Sequence, residues 1–154
     1  MCLRNNFYIV GGKNVFEGDT KTQVWAQKVL PILVRCAQAR RTITFSELTE
    51  ELGLPVRGYT RKMSDVCRHI VKTLAELERR DDWEGEIPHI TSIVLRTNGK
   101  CSPNMCEALT GNYDTQPSAQ QLQTELNCSF CYERWDAVLA ALGLPYTQLM
   151  SRLN

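Results

Sequence analysis

The sequence predicts a mostly helical α+β fold, with a winged helix-turn-helix at its centre and further helices added on the C-terminal side. Three observations predict it. Residues 41–80 read as a short extended piece, a short helix, a turn and a longer basic helix, which is the order of a helix-turn-helix. Apolar residues recur at helical spacing on both sides of that stretch. One β-branched run, residues 90–96, is followed by Thr97-Asn98-Gly99. It supplies a strand and a tight reversal from which a wing would begin.

Taken in order, residues 1–20 hold a short strand candidate from Asn6 to Val10, then the turn signal Gly11-Gly12. They form either a small hairpin or a loosely held arm. Asp19 or Thr20 can cap the next helix. Over residues 22–39 the apolar positions Val24, Trp25, Val29, Ile32, Leu33 and Cys36 recur at helical spacing. Pro31 falls inside that pattern and is expected to kink the helix or split it near Leu30, because it lacks a donor and crowds the preceding turn. Arg35, Arg40 and Arg41 come at the far end, where cations suit the helix dipole.

Thr44 followed three residues later by Glu47 is a capping box. It opens a helix over residues 45–52, which Gly53 ends. Leu54-Pro55 turns the chain, and a long helix from Gly58 or Thr60 runs to about Arg80. Its stripe is Met63, Val66, Cys67, Ile70, Val71, Leu74 and Leu77, with Arg61, Lys62, Arg68 and Lys72 off it. Residues 81–86 form an acidic loop around Trp83, which its charged neighbours mark as the most exposed tryptophan and a candidate interface anchor. Residues 90–96 are the best strand in the chain. Residues 100–116 read as irregular, with a single helical turn over 105–109. Ser118 and Gln121 stand at capping-box spacing for a helix over 118–127. A last helix over 132–142 carries Trp135, Val138, Leu139 and Leu142 and stops at Gly143; residues 144–154 add a final turn or fray. The expected organisation is an arm (1–20), a winged-helix unit (21–100), and a cysteine-containing segment with helices on the same core (101–154).

The net charge of +1 hides an asymmetry. Residues 21–80 carry twelve Lys or Arg against six Asp or Glu, while residues 81–154 carry four against nine. Such a split suits a face that meets a polyanion. It also suits two halves that neutralise each other across their packing. No stretch approaches the roughly 18 apolar residues of a membrane span, and the N-terminal apolar run is too short for a secretory signal. A cytoplasmic protein without a membrane partner is expected. Seven cysteines, an odd number, fit reduced thiols better than a disulfide framework.

The residues around the start of the second helix point to function. Arg57, Tyr59, Arg61, Lys62, Arg68 and Lys72 supply charge for DNA phosphates, and Arg can also pair with guanine. Arg96 and Lys100, near the wing tip, can reach the backbone. The expected function is non-catalytic DNA binding. The alternative is a protein-interaction module, such as an adaptor or inhibitor in a bacterial or phage defence system. His69 and His89 have no Ser or Cys partner indicated by spacing, so no hydrolytic constellation emerges. Cys101, Cys106, Cys128 and Cys131 form a C-x4-C…C-x2-C arrangement with 21 residues between the pairs. Four thiolates on two short spacers are what a structural zinc ion takes. Cys36 and Cys67 lie on apolar stripes as small core residues.

The stretch from Arg41 to Ile70 also resembles the winged-helix C-terminal part of the alkylguanine-DNA alkyltransferases and alkyltransferase-like proteins. Thr44-Phe45-Ser46-Glu47-Leu48, then Gly53 and Pro55, follow the first half of the family pattern. Arg61 stands near the arginine inserted into the DNA stack, and Val94-Leu95-Arg96-Thr97-Asn98-Gly99 is similar to the closing strand and turn. The family tyrosine is Phe45 here. The reactive cysteine position holds Thr91, or His89 if Pro88 sets the alignment. Neither supplies the thiolate that accepts an alkyl group. The resemblance therefore implies groove docking without alkyl transfer.

Overall fold

The computed structural model describes residues 20–145. The expected N-terminal arm or hairpin and the chain beyond Pro145 lie outside them. Six α-helices, one 3-10 turn and a two-stranded sheet make up the described chain.

Helix α1 (Lys21–Gln38) opens with a capping box: Gln23 N–H donates to Thr20 Oγ1 at 3.2 Å and Thr20 N–H to Gln23 Oε1 at 3.2 Å. It is one continuous helix through Pro31, so the expected split near Leu30 does not occur. Val29, Leu30, Ile32, Leu33 and Val34 around the proline are all buried. Tertiary burial on both sides outweighs the lost backbone bond. Strand β1 (Ile43–Thr44) leads directly into α2 (Phe45–Glu51), whose capping box joins Thr44 and Glu47 as expected. Leu52 ends α2, and Gly53 takes the left-handed region.

Helix α3 (Val56–Glu78) begins with a break. Arg57 is extended at ψ 118°, and Gly58 has φ 95°. That φ is open to glycine and strained for any other residue, so regular helix starts just after Gly58. Met63, Val66, Cys67, Ile70, Leu74 and Leu77 enter the core. α1 and α2 both pack on α3.

Residues 90–96 do not form the single strand expected. Ile90–Ile93 is a 3-10 turn, and only Val94–Leu95 (β2) is extended. Ile90, Thr91, Ser92 and Ile93 are each 1 % exposed or less. A half-buried strand would alternate; this run is enclosed on all sides by helices and satisfies part of its backbone by turning, with Ser92 N–H bonded to His89 C=O. β2 pairs with β1 in parallel, Ile43 opposite Val94 and Thr44 opposite Leu95. Beyond it, Arg96 N–H bonds Lys100 C=O at 2.8 Å and Leu95 bridges Cys101 antiparallel. Gly99, at φ 82°, closes this expected reversal.

The segment expected to be irregular contains a two-turn helix, α4 (Pro103–Thr110), capped by Ser102. α5 (Ala119–Cys131) opens with the Ser118–Gln121 capping box and runs four residues beyond the expected end. α6 (Trp135–Ala141) follows. The main core gathers side chains from α1, α2, α3, the 3-10 turn and α6, with Trp135 1 % exposed. Cys101, Met105, Cys106 and Leu109 form a separate apolar cluster under α4. No described helix is long and apolar enough to cross a membrane.

Trp83 is buried, against expectation. The Arg134 guanidinium lies 4.3 Å from its ring centroid and also donates to Glu84 C=O, so a cation covers the ring. The charges flanking Trp83 gave the opposite impression because the residue that covers it, Arg134, lies far along the chain.

Candidate nucleic-acid interface and an adjoining cavity

Helical spacing places Arg61, Asp65, Arg68 and Lys72 along one line of α3, opposite the buried stripe, and Arg57 precedes them in the extended stretch before Gly58. Arg57, Arg61 and Lys62 are exposed. Among the described residues, no carboxylate stands within ion-pairing distance of any of the three. Among the described residues, the acidic second half of the chain thus forms no ion pair with them. α3 has no side-chain N-cap and no acidic residue in its first turn, so the positive end of its dipole is also uncompensated.

Lys62 is held by aromatic rings. Its Nζ lies 5.3 Å from the Tyr59 centroid and 5.9 Å from that of Trp25, and the two rings meet edge to face at 5.7 Å. Trp25 is half-buried. It joins this patch from α1, a neighbour that sequence spacing cannot supply because 34 residues separate it from Tyr59. Val56, at the start of α3, is exposed.

Arg96 and Lys100 stand at the two ends of the Thr97–Gly99 reversal. Lys100 is exposed; Arg96 is half-buried, and its Nε is enclosed without a hydrogen-bond partner. Ser46 and Thr97 hydroxyls are hydrogen-bonded at 2.8 Å, tying the reversal to α2.

Farther along α3, Arg68 and Lys72 border a cavity of about 560 Å³ between α3 and α4. Arg68 pairs with Asp65 at 3.3 Å across an exposed turn, a contact worth little by itself. His89 also lines the cavity. Its Nδ1 lies 3.6 Å from Glu125 Oε2, both side chains being nearly enclosed. Glu125 was missed by sequence reasoning, since it sits on α5 with no motif around it. Thr91 and His89, the two residues that could occupy the reactive position, have different surroundings. Thr91 is buried and donates to Met105 Sδ at 3.5 Å, whereas His89 reaches the cavity.

The four spaced cysteines fall into two settings. Cys101 and Cys106 are buried in the cluster under α4, with Cys106 Sγ donating to Cys101 C=O at 3.8 Å. Burial and the neighbouring Cys106 push the Cys101 thiol up to about 12. Cys128 and Cys131 occupy the last turn of α5. Cys131 is exposed, 4.0 Å from both terminal nitrogens of Arg40. Among the described residues, no three His, Cys, Asp or Glu side chains gather closely enough to hold a metal ion.

Comparison with known proteins finds no matching family model, no matching curated protein and no matching solved structure.

Proposed function

We propose that this chain is a non-catalytic DNA-binding protein that docks α3 in the major groove, with α2, the turn and α3 as its helix-turn-helix and residues 96–100 as a short wing. The observation that carries the reading is the uncompensated basic start of α3. Arg57, Arg61 and Lys62 are exposed without a carboxylate partner among the described residues, at a helix terminus that itself favours anions. Lys100 extends the same charge to the reversal. The sequence resemblance to alkyltransferase-like proteins supports the same docking mode, and the buried Thr91 hydroxyl offers no thiolate for alkyl transfer.

Charge reversal tests the reading. Arg61→Glu combined with Lys62→Glu should abolish retention of duplex DNA in an electrophoretic shift while leaving circular dichroism and Tm nearly unchanged, because both side chains are exposed. Unaltered retention would remove the proposal and favour a protein partner at the Trp25–Tyr59 patch.

A further inference from the structure

We infer that the cavity between α3 and α4 is a binding site for a small phosphomonoester carrying an apolar or aromatic body. At about 560 Å³ it falls within the range of small-molecule sites, and it is far larger than an inorganic anion needs.

The polar wall selects the head group. Lys72 is half-buried at the cavity, and no described carboxylate lies within ion-pairing distance of its ammonium. A partly desolvated cation without a counter-ion is costly, and a bound anion offsets that cost. Arg68, one turn earlier, adds a planar donor fork that matches phosphate oxygens. Its hold on Asp65 is a solvent-exposed contact that a ligand can displace. His89 contributes a third nitrogen group. Because Glu125 occupies its Nδ1 side, Nε2 is the nitrogen left for the cavity.

Among the described residues, the carboxylate on the cavity wall is Glu107, and a neighbour engages it. A hydrogen bond to Glu107, together with its charge, holds the Tyr113 phenol above its usual range. The Asn104 amide is fixed by donating to Ser64 C=O at 3.1 Å, which leaves its carbonyl as a positioned acceptor. The remaining wall is apolar: Val71 from α3, and Met105 and Ala108 from α4. That surface suits an aliphatic or aromatic body rather than a second charged group. The site lies on the same helix as Arg61 and Lys62, about two to three turns farther along.

The test is a titration of the isotope-labelled full chain, followed by NMR, with inorganic phosphate and then phenyl phosphate. Both should shift the His89 ring signals and the amides of residues 104–113. Phenyl phosphate should bind at least about tenfold more tightly, because its ring meets the apolar wall. Lys72→Gln should weaken both by about tenfold or more, and Arg68→Gln should do the same if Lys72→Gln lowers Tm. Arg61→Glu, combined with Lys62→Glu, should lower DNA retention and leave the phosphate titration unchanged, so the two proposals can fail independently. The inference is overturned if neither compound shifts these signals in the folded chain. It is also overturned if only a 5′-phosphorylated oligonucleotide does so, since the ligand would then be a strand end rather than a small molecule.

Discussion

Trp135 offers the sharpest test of how the C-terminal helices join the core. Its side chain is 1 % exposed, its indole N–H donates to Ser129 C=O at 2.8 Å, and its ring meets Tyr132 edge to face at 4.7 Å. It thus fastens the end of α5 and the start of α6 to the main cluster. Trp135→Ala removes the largest fully buried side chain among the described residues and should cost about 3–5 kcal/mol. Trp135→Phe keeps much of the volume but leaves the Ser129 carbonyl without its donor, at about 1–3 kcal/mol. At about 2–4 °C per kcal/mol for a chain of this size, the alanine variant should lose roughly 10 °C in Tm and the phenylalanine variant roughly half as much. Urea unfolding followed by circular dichroism gives both numbers, with unchanged m-values indicating that the fold is intact. An alanine variant within about 1 kcal/mol of the parent would refute the docking of α6 on the core.

Other consequences are simpler to check. Thr44→Ala removes the hydroxyl that accepts from Glu47 N–H at 3.1 Å in the α2 capping box, and should cost about 1 kcal/mol; an unchanged urea midpoint would contradict this. Burial pushes the thiols of Cys36 and Cys67 up to about 12, and burial together with Cys106 does the same for Cys101. Each folded value lies above that of an unfolded cysteine, about 8.5. Their contribution is therefore complete below that pH and is lost as pH rises toward 12. Stability should fall steadily over that window, and a flat profile would count against it. Near neutral pH, exposed Cys131 should react with a thiol reagent in the native state, while Cys36, Cys67 and Cys101 should wait for unfolding. Rapid labelling of all of them would mean the core is open.

Local signals were the most legible part of the chain. Three capping boxes, at Thr20, Thr44 and Ser118, start helices, although only the latter two were read as boxes from spacing. Such boxes are closed by residues three apart and need nothing distant. The long apolar stripe of α3 was equally plain. Legibility failed where a distant partner decides. The Ile90–Ile93 turn has the composition of a strand, but helices enclose it. Pro31 is tolerated because both flanks of its helix are buried. Trp83 hides under Arg134, and Trp25 joins Tyr59 from another helix. Of the site, the exposed cations at the start of α3 were visible in the sequence. The cavity was not, because His89, Asn104 and Tyr113 meet Arg68 and Lys72 only when α4 folds against α3.

The most direct measurement is the affinity of the full chain for duplex DNA as a function of salt concentration. If Arg57, Arg61, Lys62 and Lys100 neutralise phosphates, the logarithm of the association constant should fall linearly with the logarithm of salt, with a slope of about −3 to −4. A slope near zero, or no binding even at low salt, would contradict the proposed role of α3.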